Sequence, residues 1–223
     1  RASDLKRALA YSTVVSLGTL VTLIGLPHPM AATAMVTFLL AHALYKACLF
    51  MVAGIVDHAA GTRDATRLGG LARAMPLTAL VAVLAGLSMA GLPPFVGFIG
   101  KELIYEAALG GAWWPVAVAL LANACMVVVA GVVALRCFFG PTQAVPGTSH
   151  DPGVAMWIGP LMLALLGLLF GLVPGWASQL LAPAASAVAG REVVMALSLW
   201  HGFTPMLALS ALTLALGALA LWG

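Results

Sequence analysis

The sequence predicts an all-α, polytopic transmembrane helix bundle of about six spans, one of them discontinuous. Three observations carry that expectation. Apolar residues make up 63% of the 223 residues and charged residues only 8%, whereas a soluble domain carries about a quarter charged. Mean hydropathy is +1.09, and the apolar residues fall in runs near the ~20 residues that a spanning helix needs. One run is cut by Gly91-Leu92-Pro93-Pro94-Phe95-Val96-Gly97-Phe98, and prolines and glycines so close together cannot continue a helix.

The first element runs over 8–26 and is stopped by Pro27-His28-Pro29. The second runs over 30–56, and 57–75 reads as a polar loop holding Asp57, His58, Arg63, Asp64, Arg67 and Arg73. Pro76 opens the third element as a first-turn proline does. Its apolar stretch reaches Gly91, and a second helical piece completes the broken element over 76–109. A fourth span covers 113–139, a fifth 154–173 and a sixth 203–222. The stretch 174–202 is less hydrophobic and punctuated by Pro183 and Gly190, so it is expected to lie at a membrane interface.

If the broken element crosses once, Arg1, Lys6, Arg7, Arg63, Arg67, Arg73 and Arg136 share one side and Arg191 lies opposite. The cation-rich side is expected to be cytoplasmic. Two crossings would only exchange Arg136 with Arg191, so charge does not decide the count. Length does: about 16 residues before the break supply ~24 Å, short of a ~30 Å hydrocarbon core. One discontinuous crossing is the reading that fits.

The net charge of +3 and pI near 9.0 arise from sparse cations without a basic aromatic stripe, which argues against a nucleic-acid partner. Cys48, Cys125 and Cys137 lack metal or disulfide spacing. No hydrolase, nucleotide-binding or cofactor-binding signature is present, so neither an enzyme nor a cofactor is expected. The chain opens Arg1-Ala2-Ser3-Asp4-Leu5-Lys6-Arg7 without an initiator Met or a signal peptide, as a loop entering a helix in a piece of a longer protein would.

Against this apolar background Lys46 and Lys101 stand out. An ammonium near the bilayer centre costs at least ~3 kcal/mol on insertion scales, which makes an intramembrane lysine a functional-site candidate. His42 and Lys46 lie four apart and share a helix face. A lone histidine on such a face is usually a packing residue; next to an intramembrane lysine it becomes a candidate relay member. An amine withdrawn from water stops being a permanent cation and can gain and release a proton, as imidazole does near neutrality. Two cations sharing a dry site would also repel each other, so Lys101, if near enough, would couple successive transfers with Lys46.

Lys101 follows the break directly, where unwound backbone survives in lipid only when buried in protein or lining a wet cavity. Glu102, Glu106, His28 and Ser88 are possible accessory groups, Glu106 competing with simple solvation and His28 standing alone between two prolines. The hydroxyls of Ser12, Thr13, Ser16, Thr19 and Thr22 read first as packing glue between helices. Asp57-His58 and Arg63-Asp64 read as loop charges, and His150-Asp151 as exposed. No cluster of acidic and carbonyl oxygens marks a metal or sodium site, which stays unknown.

Asp4-Leu5-Lys6-Arg7-Ala8-Leu9-Ala10-Tyr11-Ser12-Thr13, His42-Ala43-Leu44-Tyr45-Lys46-Ala47-Cys48-Leu49-Phe50 and Gly91 to Glu102 resemble the antiporter-like subunits shared by Mrp-type cation/proton antiporters and respiratory complex I. Gly54-Ile55-Val56-Asp57-His58, Gly61-Thr62-Arg63-Asp64 and Leu199-Trp200-His201-Gly202-Phe203 are most similar to the large A subunit of the Mrp type. The resemblance covers nearly the whole chain. It implies two inverted five-helix repeats, each with a broken helix. Residues 1–139 would be the second half of a proton-translocating module, and 140–223 additional C-terminal helices.

By motif match, Lys46 would be the central proton-channel lysine, His42 its relay neighbour, and Lys101 the lysine leading to the far half-channel. The first repeat, with its Glu and Lys pair, is not in this sequence, so the fragment is not expected to transport alone. The function implied is a subunit of a multisubunit sodium/proton antiporter. It would work beside other membrane subunits in the lipid bilayer, with protons and Na+ as its cargo, in the bacterial cytoplasmic membrane. The alternatives are a proton-pumping membrane subunit of NADH:quinone oxidoreductase and, from another class, a structural membrane-assembly subunit whose lysines only pair with partners.

Overall fold

The computed structural model describes residues 3–147 and 150–222; Arg1, counted above with the cation-rich side, lies outside them. The described residues form helices without a β-strand. They are α1 (Leu5–Gly25), α2 (Ala31–Ala60), α3 (Pro76–Ala90), α4 (Val96–Leu109), α5 (Trp113–Ala130), α6 (Cys137–Phe139), α7 (Val154–Leu172), α8 (Pro174–Ala189) and α9 (Pro205–Trp222). A π-helical turn, Gly131–Arg136, joins α5 to α6 and completes one long apolar helix, Trp113–Phe139. Four of these helices are long and apolar enough to cross a membrane: Leu5–Gly25, Ala31–Ala60, Trp113–Phe139 and Val154–Leu172. The chain is an all-α integral membrane protein.

The faces of α1 show how such a sequence folds in lipid. Leu5, Leu9, Ser12, Ser16, Leu20 and Leu23 are buried, a stripe at three- and four-residue spacing that turns to the bundle. The opposite face carries Tyr11, Val14, Leu17, Val21 and Ile24 in the open. Both faces are apolar, and the inward one differs by carrying the hydroxyls of Ser12 and Ser16 among its leucines, the kind of polar group that packs between helices in membranes. The central helix is α2, exposed along the stripe Leu39, Ala43, Ala47 and Met51 and otherwise largely buried, with α1, α3, α4, α7 and α8 packed about it.

One end of the bundle is charged. Asp4 caps α1 by accepting from Arg7 N at 3.0 Å and takes Arg63 Nε at 2.5 Å. Lys6 Nζ reaches Asp57 Oδ2 at 3.0 Å, with Arg63 Nη1 at 3.8 Å from the same oxygen. Burial pushes the Asp4 carboxyl up, but the Arg7 N–H and the Arg63 guanidinium outweigh it and hold the group below its ordinary value. Asp57 and His58, assigned to the loop above, belong to α2, which ends only at Gly61 (φ +69). Hydropathy falls where the helix leaves lipid, while the helix ends where a left-handed glycine stops it.

Asp151 is another correction. It is not a free loop carboxylate: it accepts from Leu77 N (2.9 Å), Thr78 N (3.1 Å) and Thr78 Oγ1 (2.7 Å), satisfying the first turn of α3 from across the chain. That contact fixes the start of α3 at the charged end. Gly110, just past α4, lies against His28 between α1 and α2, at the opposite end. The α3–α4 pair therefore crosses once, with its break inside the bundle.

At that break Gly91 turns left-handed (φ +70) and its N–H returns to Ser88 O at 3.0 Å, while Leu92 N bonds Leu87 O at 3.0 Å. Gly97 is pressed onto the Ser88 carbonyl, and Gly171 near the end of α7 onto Pro94 and Phe95. A side chain at either glycine would overlap backbone atoms. Residues 174–202, expected at an interface, contain α8, whose Leu181 and Ala185 pack on Val36 of α2. A non-helical return then runs beside α8, with Val193 N on Ser186 Oγ and Leu197 N on Ser178 Oγ, both at 3.0 Å.

Candidate functional site

Lys46 is 5% exposed and sits mid-way along α2. Its Nζ donates to Ser12 Oγ of α1 at 2.5 Å, and Ser12 Oγ donates onward to Leu9 O at 2.8 Å. Ser16, one turn further, donates to Ser12 O at 3.1 Å. The ammonium also stands 5.8 Å from the centroid of the Tyr45 ring, within cation–π range. Among the described residues it has no carboxylate partner within ion-pair distance.

His42 is 8% exposed, one turn before Lys46. The two are not hydrogen-bonded to each other. His42 Nδ1 shares a hydrogen bond with Tyr45 OH at 3.3 Å, and the two rings meet edge to face at 5.5 Å. Tyr45 thus touches both members of the pair. Neither Ser12 nor Tyr45 was singled out from the sequence as part of the site; the signal available was a hydroxyl on the buried stripe of α1 and a phenol next to the lysine.

Lys101 is 4% exposed, in the second turn of α4. Its Nζ donates to Ala90 O at 3.3 Å, the last carbonyl of α3, where the helix dipole presents its negative end. A Cβ on Gly91 would stand 2.7 Å from Lys101 Cε and 2.9 Å from Nζ. The break therefore serves Lys101 twice: it frees a carbonyl for the ammonium, and its glycine leaves the space in which the side chain lies. Among the described residues Lys101, too, has no ion-pair partner.

The accessory candidates divide. Ser88 is 3% exposed and, among the described residues, its Oγ has no hydrogen-bond partner, beside the break. Glu102 is half-buried and accepts from Ser210 Oγ of α9. Glu106, one turn on, lines the same cavity as Glu102, of about 170 Å³. His28 lies apart from all of these, at the end opposite the Lys6–Asp57–Arg63 network, accepting from Met30 N at 3.2 Å. The arrangement provides two separate buried lysines, each held by a neutral oxygen and, among the described residues, without an ion-pair partner. Groups held in this way can exchange a proton without breaking an ion pair.

Residues 1–127 match the family described as NADH:quinone oxidoreductase/Mrp antiporter, TM. The chain is 35% identical to the Na(+)/H(+) antiporter subunit A1 of Staphylococcus haemolyticus over 98% of its own length and 31% of that protein's. Among solved structures it superimposes on the Mrp complex from a Dietzia species with a TM-score of 0.85 and 37% identity, covering 99% of this chain and 24% of that one. Respiratory complex I from Thermus thermophilus aligns with a TM-score of 0.72 and 30% identity, over 85% of this chain and 40% of that one. The chain spans about a third of the length of the curated relative.

Proposed function

The chain belongs to the NADH:quinone oxidoreductase/Mrp antiporter transmembrane family, and from that premise we propose that it is part of a subunit of a multisubunit sodium/proton antiporter, carrying a stretch of its transmembrane proton pathway through His42, Lys46 and Lys101. The observation that carries the reading is the pair of solitary lysines, 5% and 4% exposed. Burying an unpaired charge is costly, and a purely structural role would be met by an apolar side chain of similar size. A group that alternates between ammonium and amine occupies such a site in both states, with Ser12 and the Ala90 carbonyl as acceptors.

The antiporter reading is preferred to a complex I subunit because the Dietzia Mrp chain shares both higher identity and nearly complete coverage of this one. Partner membrane subunits, a bacterial cytoplasmic membrane and Na+ as the exported ion belong to the same proposal. The driving force would be the proton gradient, each charge crossing being worth ~2.3 kcal/mol per 100 mV. The role is that of a secondary transporter subunit and not of an enzyme.

The test is exchange in everted vesicles carrying the full-length protein with its partners. Lys46→Ala and Lys101→Ala are expected to abolish sodium-driven proton movement while the complex still assembles. Normal exchange in both variants would remove the proton pathway. Loss of assembly alone would favour the structural subunit.

A further inference from the structure

We propose that the cleft at the π-helical turn Gly131–Arg136 holds an anionic phospholipid, with its phosphate on Arg136 and an acyl chain in the groove between α3 and α9. The inference stands apart from the proton-pathway reading. Two cavities meet at this turn. The outer one, of about 570 Å³, is lined by Arg136, Phe139, Gly140 and Pro141, a size ordinary for a small-molecule site. The inner one, of about 230 Å³, lies where α3 and α9 both pack on α5. Its lining holds no polar side chain, with Val83 and Leu87 from α3, Val127 from α5 and Leu214 from α9. Gly131, Leu135 and Leu221 line both cavities, so the two form one cleft.

The π-helical turn is what sets a cation at the mouth of this cleft. In an α-helix, positions five residues apart point about 140° away from each other. Here the Cys137 N–H returns to Val132 O, an i→i+5 bond that widens the turn, and Gly131 and Arg136 share one cavity wall. Arg136 is exposed and, among the described residues, has no ion-pair partner. The 3₁₀ turn Leu71–Arg73 packs against α6, which brings Arg73, also exposed and outside every ion pair among the described residues, to the same end of the bundle.

A guanidinium presents a fork of donors that matches phosphate oxygens, and basic pockets between transmembrane helices are where anionic headgroups bind. Within one cleft the lining passes from a cationic mouth to a wholly apolar inner end, the order of parts in a phospholipid entering from the adjacent leaflet. An apolar partner helix would leave Arg136 unmet, and a soluble anion would leave the inner groove empty. That groove ends at Ala90 and Leu92, so the tip of the acyl chain would abut the broken helix.

The experiment uses the full-length protein with its partner subunits, purified and delipidated in detergent, and titrates phosphatidylglycerol against phosphatidylcholine with bound lipid counted by native mass spectrometry. The wild type is expected to prefer phosphatidylglycerol. Arg136→Gln should weaken that binding about fivefold, what one cation contributes at an anionic lipid surface, and Arg136→Lys should recover part of it. Ala218→Phe fills the inner groove from an exposed position on α9 and should weaken binding to a similar extent. Arg7→Gln removes an exposed cation at the same end but outside both cavities and should bind as the wild type does. Equal binding by the wild type, Arg136→Gln and Ala218→Phe overturns the site. A loss in Arg7→Gln as large as that in Arg136→Gln also overturns it, since attraction to surface charge would then account for both. A loss in Arg136→Gln with none in Ala218→Phe overturns the acyl groove. Binding and not exchange is the readout, so none of these outcomes bears on the pathway reading.

Discussion

The Lys46 ammonium is held across the α1–α2 contact by one neutral oxygen, Ser12 Oγ, at 2.5 Å. That hydroxyl accepts from Lys46 and spends its one proton on Leu9 O. Ser12→Ala is expected to leave the ammonium without an acceptor, at a cost of ~1–3 kcal/mol for a buried polar group left unsatisfied. It should lower the thermal midpoint in detergent and cut exchange about tenfold, the equivalent of ~1.4 kcal/mol on the barrier. Ser12→Thr keeps the hydroxyl and should restore most of both. A Ser12→Ala protein equal to wild type in midpoint and turnover would remove Ser12 from the site.

Gly91 offers a test of Lys101 that leaves the lysine in place. Its φ of +70 costs a residue with a side chain ~1–2 kcal/mol, and its Cβ would meet Lys101 Cδ at 2.8 Å and Nζ at 2.9 Å. Gly91→Ala should therefore push the ammonium off Ala90 O and reproduce the exchange defect of Lys101→Ala in assembled complex. Gly54→Ala, where a Cβ meets nothing within 4 Å, is the matched control and should exchange normally. Equal activity in the two glycine variants would show that the position of the Lys101 ammonium does not matter.

The lysines and the break were legible in the sequence because each violates what lipid demands of a helix, a violation that needs no neighbour to be visible. Ser12 was not, because its hydroxyl differs from those of Thr13 or Thr19 only in falling on the buried stripe of α1 opposite Lys46. The same holds for Asp151, whose three hydrogen bonds to α3 join residues more than 70 positions apart. The packing of Gly171 on Pro94 depends on where α7 ends relative to the break, which periodicity does not encode. Helix α8 was masked by composition: Pro183 and small residues lower its hydropathy, while the residues it buries are Ala177, Ser178, Leu181 and Ala185, Leu181 and Ala185 of them against Val36 of α2.

Asp151 caps the first half of the broken helix from a remote loop. Asp151→Ala removes the acceptor for the Leu77 and Thr78 amides, a loss comparable to deleting an N-cap, ~0.5–2 kcal/mol. The expected signature is local: faster amide hydrogen exchange at Leu77 and Thr78 with a small fall in thermal midpoint, and partial recovery in Asp151→Asn. Unchanged exchange at those two amides would mean that water replaces the carboxylate without cost.

The charged end predicts an acid-dependent stability that does not reach neutral pH. The Asp4 carboxyl is lowered from 3.8 on folding because Arg7 N–H and Arg63 outweigh the opposing effect of burial. A group whose value falls on folding contributes stability that is present above its unfolded value and is lost as pH drops through the folded one. Asp4→Asn keeps a good N-cap for α1 but removes the charge that meets Arg63, so comparing it with wild type isolates the pair. With the two side chains 49% and 23% exposed, the difference should be ~0–1 kcal/mol and shrink with salt. Thermal midpoints in detergent should show a constant gap from neutrality down to about pH 4, closing only in stronger acid. A gap that opens or closes between about pH 6 and about pH 8, the range of histidine titration, would assign the effect to another group and remove Asp4 as the anchor of this end.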